Sequence, residues 1–436
     1  MMSTPTSIRE AHEAFVSGHS GSSAPDLILA VYPAIPASLL AVVIVQGRTG
    51  WLWFLLESIF LVVPLTLSFT ICSDYALELC TVLTILTALA LCLATPTGTN
   101  VCSPSKKARK HLGCVTSLRA LLNLATSIAI LGVDFHSFPR RFAKTEEYGY
   151  SLMDVGAAGF VTMNGIVEGK KRASYRFVAR DTVILTVLGV LRLVLARASN
   201  YQHHVTEYGL HGNFFFTLAL IKLTCSWWIW HLNSLGSVMV ALLLSFCHHL
   251  FLTVGNGGPW TLSNIGRDTL ILANREWLVS VPGYTILYFL GAALGSFLFS
   301  RSVNTKLSFP LFILTAWSGV CLAGLHFFVD LPSRRLGNPT FVALVIFFTM
   351  IVLTLFSLVE ERLKQLLPGM PSVPLTFLAI NHKPLLFFLL SNISTGLINK
   401  SINTLDVTYP WDVGIIVIYA TLLVNVIYFI FITDGG

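Results

Sequence analysis

Charge is the scarcest commodity in this 436-residue chain: only 11% of positions are Asp, Glu, Lys or Arg, against roughly a quarter in ordinary soluble proteins. No polar stretch is long enough to solvate a second folded domain of the usual ~100–150 residues. The eight cysteines are scattered, mostly inside apolar runs (Cys72, Cys80, Cys92, Cys225, Cys247, Cys321), with no CxxC and no Cys/His ligand spacing. That pattern indicates neither a disulfide framework nor a zinc site. Catalytic signatures of familiar kinds are missing too. No His is followed five positions later by Asp, as in soluble-type glycerolipid acyltransferases, and there is no GxSxG elbow and no P-loop. There is no solenoid-period repeat, no inverted pair of halves, and no low-complexity tract beyond a Ser/Gly-rich N-terminal tail. The first residues (MMSTPTSIREAHEAF) include acidic ones and lack a short apolar core with a cleavage site, so no signal peptide is expected.

What fills the chain instead is apolar: 54% hydrophobic residues, 30 Phe, 9 Trp and 12 Tyr, with a mean hydropathy of +0.74. This composition predicts an all-α polytopic membrane protein. Apolar runs of the ~17–25 residues needed to cross a bilayer lie near 27–47, 51–70, 76–95, 117–134, 150–167, 182–196, 213–231, 234–253, 281–299, 308–330, 339–358, 384–399 and 413–433. The expected architecture is about thirteen transmembrane helices in a single bundle. An N-terminal tail (1–26) precedes one multi-span domain (27–436). The connection near 254–280 is expected as a long loop, with Gly255, Gly257, Gly258 and Pro259 as turn residues.

An odd number of spans puts the termini on opposite sides, and loop charge decides which is which. One alternating set holds Arg48, Lys106, Lys107, Arg109, Lys110, Lys170, Lys171, Arg172, Arg176, Arg180, Arg301, Lys306, Arg362, Lys364 and Lys383. The other set, with the tail, holds fewer: Arg9, Arg140, Arg141, Lys144, Arg197, Arg267, Arg275, Arg334, Arg335 and Lys400. The richer set is assigned to the cytosol, the N-terminus to the lumen and the C-terminus to the cytosol. The formal charge of +7 is that of cytosolic loops and does not point to nucleic acid.

The poorer side nonetheless gathers the oddest polar segments, 134–151, 199–213 and 272–277. Ionisable groups in hydrocarbon are costly and stand out as functional candidates. Asp134 closes one span and Asp154 opens the next; Glu57, Arg192, Lys222, His326 and Asp330 sit in or near others. For Glu57, Arg192 and Lys222 an internal ion pair or snorkelling to a headgroup competes with a functional role. A partly desolvated carboxylate at the mouth of a span, as at Asp134, is suited to accept a proton from an alcohol. Lys144 follows ten positions later, after Pro139 turns the chain. The two side chains supply a base and an oxyanion-stabilising cation, or else a loop salt bridge orienting two helices. Arg140 and Arg141 fit a phospholipid phosphate or an ordinary interfacial anchor. His203, His204, Glu207 and His211 match no metal-ligand spacing, and hydrogen bonding to a polyhydroxylated headgroup is their expected use.

These segments carry a resemblance. Asp134-Phe135 through Phe138-Pro139-Arg140-Arg141-Phe142-Ala143-Lys144, then Glu146 or Glu147, Gly149 and Ser151-Leu152-Met153-Asp154, resembles the signature of glycosylphosphatidylinositol (GPI) inositol acyltransferases. Tyr201, His204-Val205-Thr206-Glu207-Tyr208-Gly209, His211 and Asn213-Phe214-Phe215 look like a second block. Ala273-Asn274-Arg275-Glu276 resembles a third, and Ser391-Asn392-Ile393-Ser394-Thr395-Gly396-Leu397 with Asn399 a fourth. The chain departs from the family pattern at Gly212, where Trp is usual, at Trp277, where Gly is common, and at Lys400, where an apolar residue is usual. Gly212 on its own would enlarge a lipid-facing gap.

The resemblance implies transfer of a long acyl chain, typically palmitoyl, from acyl-CoA to the inositol of glucosaminyl-phosphatidylinositol. It implies the luminal side of the endoplasmic reticulum membrane, and carries the catalytic roles onto Asp134 as base and Lys144 as oxyanion stabiliser. Substrate binding is implied for Arg140, Arg141, Asp154, His204, Glu207, Tyr208, His211, Asn213, Asn274, Arg275 and Glu276. The expected partners are acyl-CoA as co-substrate, the lipid acceptor and membrane lipids, with no resident cofactor, metal, nucleic acid or obligate protein partner. The alternative is a multi-span lipid or solute transporter without acyl-transfer chemistry, disfavoured by the missing paired repeat and by the polar cluster lying at one face.

Overall fold

The computed structural model describes residues 14–46, 48, 50–94, 112–170, 175–198, 208–301, 306–368 and 371–435. In chain order its seventeen α-helices are α1 Ala24–Val31, α2 Ala34–Val45, α3 Trp51–Phe69, α4 Ala76–Leu93, α5 Gly113–Gly132, α6 Leu152–Lys170, α7 Tyr175–Ala198, α8 Phe214–His231, α9 Ser234–Thr253, α10 Gly257–Leu262, α11 Leu270–Ala273, α12 Arg275–Ser300, α13 Ser308–Phe328, α14 Pro339–Leu366, α15 Leu375–His382, α16 Pro384–Ser401 and α17 Trp411–Thr433. No described residue lies in a strand. Each expected apolar run coincides with helix, and nine helices among the described residues are long and apolar enough to cross a membrane, counting α1–α2 as one. This is an all-α, multi-pass membrane protein. The four other runs, α6, α7, α8 and α16, are helices of 18 to 24 residues that fall outside this set.

Three local departures have physical causes. The first run breaks at Tyr32-Pro33, where proline removes a backbone donor. The expected loop at 254–280 is partly helical: α10 begins at Gly257 with Pro259 in its first turn, where a missing N–H costs nothing. The following span starts at Arg275 rather than near 281. A buried helix with no counterpart in the apolar runs, α15, precedes the proline that opens α16.

The contacts of the chain group into two compact units. The first comprises Met1–Gly21, Lys144–Ser302 and Ala316–Thr349. Its centre is the pairing of α6 with α12, both carrying a G-x-x-x-G. A Cβ at Gly165 or Gly169 would fall under 3 Å from the carbonyl of Tyr288 or Ala292, and one at Gly291 or Gly295 would do the same to Thr162 or Ile166. The two backbones therefore touch directly, which only glycine permits, and small residues at such crossings are how helices associate where lipid gives no hydrophobic drive. Polar ties inside this unit include Lys222 to Asp181 at 2.6 Å and the indole N–H of Trp230 to Glu168 at 2.9 Å. For Lys222 the ion-pair reading thus holds, while Arg192 lies exposed on α7.

The second unit comprises Ser22–Ala143, Val303–Thr315 and Met350–Gly436. Here three carboxylates receive backbone N–H groups at helix N-termini. Glu57, 3% exposed, accepts from Thr376 N at 2.7 Å and caps α15. Glu360 accepts from Cys114 N at 2.9 Å at the start of α5, and its neighbour Glu361 accepts from Leu307 N and Ser308 N at 2.8 and 3.0 Å at the start of α13. Negative charge at a helix N-terminus meets both the orphan donors and the positive end of the dipole. Among the described residues Glu57 has no ion-pair partner, and its carboxylate serves a helix N-terminus instead.

Candidate active site

Asp134 lies just past the end of α5, 9% exposed, in a turn that folds back on the helix. Its own N–H donates to Leu131 O at 3.2 Å and that of Phe135 to Gly132 O at 2.9 Å. Phe135, Phe138 and Phe142 are fully buried, and a Cβ at position 132 would sit 2.9 Å from the Phe138 ring, so Gly132 is what lets the turn close. Arg140 clamps it: its guanidinium donates to Val133 O at 2.8 Å, Phe135 O at 2.9 Å and Phe138 O at 2.7 Å. Burial pushes the Arg140 guanidinium down to about 10, opposed by the Asp134 carboxylate nearby. Asn399, in the last turn of α16, donates its side-chain N–H to Asp134 Oδ2 at 2.7 Å. Arg141 pairs with Asp74 at 2.6 Å on the surface.

The signature continues in the other compact unit. From Lys144 onward, Thr145 donates both its N–H (3.1 Å) and its hydroxyl (2.6 Å) to Asp154 Oδ2. Asp154 is 2% exposed and its Oδ1 meets Arg334 Nε at 2.6 Å. Ser151 stands three positions before Asp154, and its hydroxyl accepts from the Asp154 N–H at 3.4 Å, an N-terminal cap for α6. The intervening loop is tied down by Gly149 N to Pro332 O at 2.8 Å, by Ser333 to the carbonyl of Glu147, and by Glu146 N to His19 O at 3.1 Å. Tyr150 meets His326 Nδ1 at 2.9 Å. Burial, reinforced by Asp330, pushes the Tyr148 phenol up to about 12.

In the same unit the second and third blocks dock on one another. Gly209 adopts φ +72°, and a Cβ there would strike Ala273 O and Asn274 Cα at 2.6 Å. Leu210 N donates to Ala273 O at 2.9 Å, His211 N donates to Asn274 Oδ1 at 2.9 Å, and the two side chains meet at 3.2 Å. Asn213 is fully buried, caps α8 through Phe216 N and donates to Gly189 O. Glu276, with no exposure, is ringed by arginines: Arg267 at 2.6 Å, Arg335 at 3.1 Å and Arg275 at 3.5 Å. Arg275 also donates to the carbonyls of Ile265 and Ser263. The space beside Gly212 is not a gap. The Trp277 ring lies 2.8 Å from where a Cβ would be, and its indole N–H donates to Thr217 at 2.8 Å. A Cβ at position 212 would also fall under 3 Å from the Tyr208 carbonyl oxygen.

The GWT1 family model matches residues 8–430. The chain belongs to the GWT1 family. It is 34% identical to "GPI-anchored wall transfer protein 1" of Kluyveromyces lactis, over 95% of each chain. It is 29% identical to "Glucosaminyl-phosphatidylinositol-acyltransferase PIGW" of Bos taurus over 98% of each. It is 28% identical to "Phosphatidylinositol-glycan biosynthesis class W protein" of Dictyostelium discoideum, over 94% of this chain and 95% of that one.

Within this GWT1-family chain, the residues singled out from sequence fall into separate groups. Asp134, Arg140 and Arg141 lie in one compact unit. Lys144, Asp154, Tyr208, His211, Asn213, Asn274, Arg275 and Glu276 lie in the other, where Asn274 meets His211 and Arg275 meets Glu276. His204 and Glu207 lie outside the described residues, as do Lys106–Lys110, Lys171 and Arg172. Among the described residues no three His, Cys, Asp or Glu side chains group as metal ligands. Sequence alone marks Arg267, Arg334 and Arg335 only as loop charge; they are the partners of Glu276 and Asp154, and the one signal is the adjacent pair Arg334-Arg335 in a short connection. Asn399 falls in the fourth sequence block and in a sequon, neither of which gives it a role.

Proposed function

We propose that the chain transfers a long acyl group, palmitoyl, from acyl-CoA to an inositol hydroxyl of glucosaminyl-phosphatidylinositol in GPI-anchor biosynthesis. What supports the reading is membership of the GWT1 family along nearly the whole chain, with a relative named for this acyl transfer. The carrying observation is a buried carboxylate, Asp134, fixed just past the end of a helix of membrane-spanning length.

In this mechanism Asp134 takes the inositol proton and the alkoxide attacks the thioester carbonyl. Lys144 stabilises the tetrahedral oxyanion. Collapse breaks the C–S bond, leaving an inositol ester and a thiolate that takes up a proton to leave as CoA. No resident cofactor enters; acyl-CoA is the co-substrate. Arg141, whose exposed partner Asp74 is exchangeable, suits the lipid phosphate; Arg140 holds the turn that presents it. His204, Glu207 and His211 are assigned to the sugars.

We place the protein in the endoplasmic reticulum membrane with about thirteen crossings, N-terminus luminal and C-terminus cytosolic. Three arginines of the charge-poor side, Arg275, Arg334 and Arg335, are buried against carboxylates. Discounting them widens the charge difference on which that orientation rests. The cytosolic loops, Lys106–Lys110 and Lys170–Arg180, are then where CoA phosphates would gather.

The test is incubation of purified, detergent-solubilised protein with radiolabelled palmitoyl-CoA and glucosaminyl-phosphatidylinositol, followed by lipid chromatography. A labelled, phospholipase-C-resistant lipid that disappears in Asp134→Asn is the expected result. Full activity in Asp134→Asn would remove Asp134 as base, and no product from folded wild type would remove the reaction.

A further inference from the structure

A carboxylate that takes a proton from an alcohol has to be held, because both torsions of an aspartate side chain are otherwise free. Of the fourth sequence block, Ser391, Thr395 and Asn399 recur every four residues on α16 and so share one face. Ser391 and Thr395 are buried, whereas Asn392, Ile393, Gly396 and Leu397 on the other side are exposed. The polar stripe is anchored from α17: the Tyr419 hydroxyl lies 3.1 Å from Ser391 O and 3.3 Å from Thr395 Oγ1. One turn further along the same face stands Asn399, whose N–H reaches Asp134 Oδ2 at 2.7 Å.

Chemistry fixes the direction of this amide. A carboxylate only accepts, so the nitrogen must face Asp134 and the oxygen must face away. Among the described residues that oxygen has no hydrogen-bond partner, as is also true of the side-chain oxygens of Asn123, Asn381 and Asn425. What the asparagine provides is its donor, aimed at one carboxylate oxygen.

We infer that Asn399 is a positioning residue: it holds one carboxylate oxygen of Asp134, while the Ser391–Thr395–Tyr419 contacts hold the face of α16 that carries it. The inference rests on the reading of Asp134 as the base. The Asn399 amide nitrogen is committed to Asp134 at 2.7 Å.

The test uses full-length protein in the acyl-transfer assay, comparing wild type, Asn399→Ala, Asn399→Asp and Asp134→Asn. Asn399→Asp keeps the shape but replaces the amide donor by a second carboxylate, which repels Asp134 or shares its proton. Both Asn399 variants are expected to lower kcat by about 10- to 100-fold, the scale of a misplaced reacting group. KM for either substrate should stay within about twofold, and the unfolding temperature should match wild type. A wild-type kcat in a folded variant overturns the inference, as does a KM increase for the lipid acceptor with kcat unchanged, which would make Asn399 a substrate contact. A fall in thermal stability that accounts for the lost activity in both variants also overturns it. Asp134→Asn separates the two claims. If it stays active, the base assignment is wrong; if it is inactive while the Asn399 variants keep wild-type kcat, only the positioning role fails.

Discussion

Replacing Gly165 by alanine adds one methyl group, and the α6–α12 contact leaves no room for it. The new Cβ would lie under 3 Å from the Tyr288 carbonyl oxygen and 3.1 Å from Ala292 N, both backbone atoms that cannot rotate aside. Relief requires the helices to separate, which also loosens the reciprocal contacts at Gly169, Gly291 and Gly295. Overpacking of this kind costs about 1–3 kcal/mol. Against it stands the intrinsic preference of helices for alanine over glycine, roughly 1 kcal/mol in the opposite direction. The net expectation is a destabilisation of up to about 2 kcal/mol. An internal control sharpens the test: at Gly324, within α13, an added methyl group would have no atom within 4 Å. Gly324→Ala should therefore be neutral or stabilising. Thermal unfolding of the two variants in detergent, followed by fluorescence-detected size-exclusion chromatography, gives the comparison. If Gly165→Ala is as stable as Gly324→Ala, direct backbone contact between α6 and α12 is not what holds the first unit together.

Two further variants probe the surroundings of the candidate site. Asp154→Asn keeps an acceptor for Thr145 but leaves Arg334 buried without its counter-ion, so a loss of about 3–5 kcal/mol is expected, measured by the same thermal assay. Adding Arg334→Met should recover part of it, and a double variant no better than the single would refute a buried ion pair as the cause. Trp277→Ala should be destabilising, since it removes a partly buried ring packed beside Gly212. Trp277→Phe should lose less, keeping most of the packing and giving up the Thr217 hydrogen bond, about 0.5–1.5 kcal/mol. Equal losses in the two would show that the ring does not fill that space.

The sequence by itself determined what depends on local chemistry. Hydropathy marks the spans because every residue facing lipid must be apolar along a whole helix, and each of the thirteen runs is helical. Asp134 was legible as a carboxylate at a helix mouth, and Asp154 as one opening the next helix. The order of blocks sufficed to suggest the family. What tertiary structure alone decided is the partner of each polar group. Asn399 reaches Asp134 across 265 positions, and Thr376 reaches Glu57 across 319. No periodicity encodes such pairings. The buried helix Leu375–His382 escaped notice because it is too short to read as a span and owes its place to a distant carboxylate at its N-terminus. The arginines around Glu276 read as loop charge because a guanidinium looks the same in sequence whether water or a buried carboxylate receives it. Gly212 read as a gap for a similar reason: whether a missing side chain leaves a void depends on what else grows into the space, and here Trp277, 65 positions later in the chain, fills it.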